Sequence, residues 1–175
     1  FSYQWDGEDK VHFVSEWKDG RREMLAKMHA LLDEADVVLT YNGNSFDIPW
    51  VFGELWTEGF QPPSPFEKID LFQLVKSKTR FISKKLDFVS NKILGERKVA
   101  HAGMPLWMGC MRLEPESLAT MEEYAVQDTA LLLPLYYKAQ GWFTTGHPNR
   151  GVIDQEEHVC PNCGSDRLQR RGLRH

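Results

Sequence analysis

The sequence predicts an α/β fold, a mixed β-sheet flanked by helices. Three observations point there: an N-terminal segment that alternates apolar and polar side chains around a turn, an isolated β-branched run at 36–41, and several later stretches with apolar residues at helical spacing. With 175 residues and 42% hydrophobic content, the chain is about one domain long, and a domain near this size buries roughly 70% of its unfolded surface. The order of elements is shared by several α/β folds.

The opening residues 1–5 and 10–17 flank Asp6-Gly7-Glu8-Asp9, the pattern of a β-hairpin. From about Asp19 to Ala35, Met24, Leu25, Met28, Leu31 and Leu32 recur at helical spacing with charges between them, so the methionines read as core filler. The run Asp36 to Tyr41 is a buried strand stopped by Asn42-Gly43. A helix follows from about Asp47, because Pro49 is tolerated in a first turn and Trp50, Val51, Leu55 and Trp56 continue the period until Gly59. Residues 62–65 are a Pro-rich loop, and Asp70 caps a short helix through Lys76. Ser83 opens another helix, with Leu86, Val89, Ile93 and Leu94 on one face and Gly95 as its C-terminal cap. A long helix runs from Glu116 to Tyr137, kinked or shortened by Pro134. Past Gly141 the chain turns polar, which places a domain boundary near 145: residues 1–145 form the main domain and 146–175 a linker and tail.

No apolar run approaches the ~18 residues of a membrane span, and nothing resembles a signal peptide. The expected setting is soluble and cytoplasmic, or the host cytoplasm for a viral protein. A net charge of −4 argues against binding nucleic acid by basicity alone, although the last ten residues are net basic. Three cysteines cannot build a secreted disulfide framework, and Cys110 reads as a small buried side chain.

Two constellations carry chemistry. Asp47 sits just past a buried strand and at the start of a helix, where open α/β sheets host active sites; it also reads as a simple helix cap. Tyr124 and Asp128 are four apart and share a helical face with Leu131 and Leu132. A carboxylate among leucines needs a partner, which a divalent metal, a salt bridge or Tyr124 itself can supply.

Together, Asn42-x-x-x-Phe46-Asp47 after a strand and Tyr124-x-x-x-Asp128 on a late helix resemble the second and third motifs of the DEDDy 3′-5′ exonucleases, members of the ribonuclease H-like superfamily. Residues 84–98 are similar to the connecting helix in the exonuclease domains of family B DNA polymerases. The resemblance spans roughly residues 1–140. It implies a two-metal mechanism with Mg²⁺ or Mn²⁺, the ions about 3.5–4 Å apart. Asp47 and Asp128 would be catalytic metal ligands, Tyr124 would orient the attacking water, and Asn42 and Phe46 would contact the terminal nucleotide. The implied partners are single-stranded DNA or RNA 3′ ends, and a polymerase or replication protein. Aromatic stacking by Phe46, Trp50 and Tyr124 would help hold a single strand, while Trp50 reads equally as core.

One motif departs from the family. The first, an Asp-x-Glu on the first strand, is matched in spelling only by Asp6-Gly7-Glu8, which falls in the predicted hairpin turn. The first strand and its two carboxylates are therefore expected upstream of Phe1, which leaves half a metal site in the chain as given. In the tail, Cys160-x-x-Cys163 resembles the first knuckle of a zinc ribbon, with His158 and His175 as substitute ligands for Zn²⁺ and Arg167, Arg170, Arg171 and Arg174 suited to a phosphate backbone. Two alternatives follow: a catalytically inactive nucleic-acid-binding domain, or a zinc-ribbon binding protein using the body as a platform.

Overall fold

A computed structural model describes residues 1–95 and 103–142. The tail with Cys160 and Cys163, the boundary near 145 and the last residues of the 84–98 stretch lie outside the described residues. The opening segment forms an antiparallel pair, β1 (Ser2–Tyr3) and β2 (His12–Phe13), with Ser2 opposite Phe13. The ladder is only two residues long because the connection is a wide loop, turned at Trp5–Glu8 by a hydrogen bond from Glu8 N to Trp5 O (3.1 Å) with Gly7 at φ 86°.

A short helix α1 (Glu16–Asp19) leads through Gly20 into α2 (Arg21–Glu34). On α2 only Leu25 is fully buried, and Met24 and Met28 are half-buried. Strand β3 (Val37–Thr40) follows, then α3 (Asp47–Thr57). The expected helix start is met, but its apolar period is not the buried one. Ile48 and Leu55 face the core and Val51 is half-buried, a set spaced three and four residues apart, while Trp50 and Trp56 point to solvent.

The Pro-rich loop ends in a strand that propensity does not announce. β4 (Glu67–Asp70) pairs in parallel with β3, Leu39 opposite Ile69 and Thr40 opposite Asp70. Glu67-Lys68 are exposed and only Ile69-Asp70 are buried, so backbone pairing rather than side-chain pattern makes the strand. Asp70 then caps α4 (Leu71–Lys78), as expected, by accepting from Phe72 N (3.0 Å).

Helix α5 (Leu86–Leu94) ends at Gly95 in the left-handed conformation, φ 78°, the cap read from sequence. Its buried residues are Val89 and Ser90, and Ile93 is exposed. A further helix, α6 (Met104–Met111), packs on α7 (Pro115–Ala130) where Gly109 lies so close that an added Cβ would stand 2.0 Å from Ser117 Oγ. Cys110 is half-buried there rather than enclosed, and its thiol donates to Ser117 O (3.4 Å). The expected long helix is two helices, with α8 (Leu132–Ala139) beginning after Leu131. Pro134 has no N–H for the Ala130 carbonyl, and the helix breaks one residue after that carbonyl.

The core joins Ile69, Leu71, Leu74, Val75, Val89, Leu135 and Tyr136, so β4, α4, α5 and α8 share one apolar interior. Each such side chain stabilises the fold by roughly 1.5–3 kcal/mol relative to exposure. Among the described residues the strands form two small two-stranded sheets, one antiparallel and one parallel, flanked by helices, the mixed α/β architecture that was expected. No described helix is long and apolar enough to cross a membrane.

Candidate active site

The β3–α3 junction is built by backbone geometry. Asn42 takes φ 67°, and Gly43 passes so close over Thr40 that a Cβ would lie 2.6 Å from Thr40 Cβ. The Gly43 carbonyl then accepts from Phe46 N (3.3 Å) and Ile48 N (2.9 Å), which starts α3 at Asp47. Phe46 holds the N-cap position without a capping side chain, so Asp47 lies inside the first turn rather than capping it. There its charge is favoured by the helix dipole.

The residue that holds this loop is one the sequence pattern did not single out for the site. Asp70, only 6% exposed, accepts from Asn42 N (2.8 Å) and Phe72 N (3.0 Å) on Oδ1 and from Asn44 N (3.2 Å) on Oδ2. Its pairing opposite Thr40 across β3 and β4 delivers that carboxylate to the turn. Sequence reading found Asp70 as a helix cap, and the signal for its second role is a lone acid at the end of an unrecognised strand.

The Asp47 carboxyl is pushed above the usual carboxylate range, chiefly by loss of water on its protein side. A hydrogen bond from its own backbone N–H works against that, and the negative charge of Asp70 adds to it. The other face of Asp47 is open to solvent. An open, crowded carboxylate of this kind is a hard oxygen donor that a divalent cation would relieve.

Tyr124 and Asp128 are half-buried on α7, and Asp128 Oδ1 is fully enclosed. The hairpin is anchored on that helix: Ser2 Oγ donates to Ala125 O (2.8 Å) and shares a hydrogen bond with Thr129 Oγ1 (2.6 Å). The charged neighbour that acts on Asp47 is Asp70. Among the described residues, no group of three or more His, Cys, Asp or Glu side chains can hold a metal ion. The donors present thus suit a divalent cation in kind and fall short in number.

Asp6 and Glu8 sit in the hairpin loop, as expected, with other partners. The Tyr137 hydroxyl donates to Asp6, which pushes the phenol up to about 12, and Glu8 lies 3.4 Å from His12 Nε2. Between β1 and β3 runs an apolar slot of about 460 Å³. Its edges are residues 1–6 and 36–40, and its walls include Leu31 and Leu32 of α2 and Leu132 and Tyr136 of α8. Among the described residues each of β1 and β3 is paired on one side only, which leaves each an open strand edge there.

A family model for the RNase_H superfamily matches residues 2–140. The chain belongs to the RNase H superfamily, whose members act on nucleic acids and generally use divalent metal ions. No curated protein gives a significant sequence match.

Proposed function

We propose that this protein is a 3′-5′ exonuclease of the DEDDy kind, hydrolysing phosphodiester bonds at the 3′ end of single-stranded DNA with Mg²⁺ or Mn²⁺. The observation that carries this reading is the placement of Asp47, in a chain of this superfamily, at the C-terminal end of β3 on a turn clamped by Asp70. When bound, two divalent ions stabilise the attacking and leaving oxygens of the phosphodiester. Asp47 and Asp128 would hold them. Tyr124 would orient the water, and Asn42 and Phe46 would seat the terminal nucleotide. In the same reading the slot between β1 and β3 takes a further strand carrying the first two carboxylates, since apolar walls and two open strand edges are what an inserted strand needs.

Degradation of a 5′-labelled single-stranded oligonucleotide with Mn²⁺ tests this, comparing the chain, a version extended upstream by one further strand, and that version with Asp128→Ala. A stepwise ladder from the extended protein that Asp128→Ala abolishes is the expected result. An extended protein that binds the oligonucleotide and never shortens it refutes the nuclease and favours a non-cleaving binding domain. The short donor set among the described residues is the observation behind that second reading.

The tail is a separate proposal. Cys160 and Cys163 would contribute to Zn²⁺ binding, and residues 146–175 would act as a linker and ribbon knuckle beside the main domain.

A further inference from the structure

One face of α3 is apolar and turned to water. Phe46 and Trp50 are 60% and 65% exposed, and they sit one turn apart, with Trp50 N donating to Phe46 O (3.3 Å). With Pro49, Gly53 and Thr57 they line a groove of about 370 Å³ whose Phe46 end is next to Asp47 in the chain. The neighbouring ring Phe52 is already paired edge-on with Phe66, whereas Phe46 and Trp50 have no aromatic partner among the described residues. Gly53 is mid-helix, where glycine is disfavoured relative to alanine. Nothing lies within 4 Å of a Cβ added there, so packing does not require it; its effect is to keep the groove floor open. The acid on this face, Glu54, is paired with Arg21, so the groove carries little unbalanced negative charge.

We propose that this groove is a stacking subsite for one unpaired base of a single-stranded nucleic acid, leading away from Asp47 along α3, with Trp50 as the platform. This rests on the exonuclease reading for the direction of the strand, and on superfamily membership for nucleic acid as the occupant. Stacking on an exposed ring needs an accessible base face. A duplex covers both faces of every internal base, so the groove selects single strands. Stacking engages the π-face that every base shares, so selection among the four bases is weak.

The test is fluorescence anisotropy of a labelled oligothymidylate with the full chain in EDTA, where binding is read without cleavage. Base stacking on one aromatic side chain corresponds to about 5- to 150-fold in affinity. Trp50→Ala is expected to weaken binding within that range and Trp50→Phe to retain most of it. Gly53→Leu, which fills the groove and leaves the ring in place, is expected to match Trp50→Ala. None of the three changes affinity for a duplex of equal length. The subsite is overturned if Trp50→Ala and Gly53→Leu each stay within twofold of wild type, if duplex binding falls in parallel, or if the wild type does not bind the single strand. Cleavage with Mn²⁺ is scored separately on the version extended upstream, so an extended protein that never shortens the strand while its binding still responds to Trp50 sinks the exonuclease reading alone.

Discussion

Replacing Asp70 by Asn isolates the role of one oxygen in shaping the β3–α3 turn. The carboxylate takes three backbone N–H groups, two on Oδ1 and one on Oδ2. An amide has a single acceptor oxygen, so Asp70→Asn in its best orientation keeps the bonds from Asn42 and Phe72 and sets an NH₂ against Asn44 N–H. A hydrogen bond to a charged group contributes about 1.5–3 kcal/mol net, and the bonds that survive weaken because the acceptor is now neutral. The expected loss is therefore about 2–4 kcal/mol, a large fraction of the 5–15 kcal/mol typical of a domain. Asp70→Ala, which frees all three donors and removes the α4 cap, should lose more. Urea unfolding followed by circular dichroism gives the stability, and amide exchange over residues 42–46 gives the locality. Removing the Asp70 charge should also bring the Asp47 carboxyl down, since that charge helps hold it up. Stability within about 0.5 kcal/mol of wild type, the scatter of neutral surface changes, together with unchanged exchange at Asn42 and Asn44, would refute the clamp.

Three further outcomes are expected. Mg²⁺ at ten times its dissociation constant should stabilise the protein by about 1.4 kcal/mol, a thermal shift of roughly 3–6 °C, and Asp47→Asn should remove most of it; an equal shift in the variant would place the cation elsewhere. The Tyr41 hydroxyl donates to Lys84 O (2.6 Å), and burial followed by the Asp70 charge raises its pKa, so the stability it contributes is present below about pH 10, the unfolded value, and is lost as pH rises further. Tyr41→Phe should therefore cost about 1 kcal/mol at pH 7 and narrow that gap in alkali, read from melting curves against pH. Gly109→Ala drives a methyl into Ser117 on α7 and should cost about 1–3 kcal/mol, which a melting temperature equal to wild type would contradict.

The residues themselves determined the parts governed by local rules. A β-branched run closed by Asn42-Gly43 specifies a strand and its end, Pro49 in a first turn marks the start of α3, and Gly95 adopts the left-handed cap that it was read to supply. The superfamily was legible because Asn42, Phe46, Asp47, Tyr124 and Asp128 form a pattern in the chain itself. Tertiary structure decided what depends on partners distant in sequence. Glu67-Lys68-Ile69-Asp70 has no strand signature and becomes β4 through hydrogen bonds to β3, and that pairing turns a helix cap into the anchor of the Asp47 turn. Which apolar side chains of α3 are core was likewise settled by packing: the period admits Trp50 and Trp56 as readily as Ile48, and only the position of the neighbouring elements leaves the two tryptophans in water. The slot between β1 and β3 is set by the placement of four separate segments, a relation that no local stretch of sequence encodes.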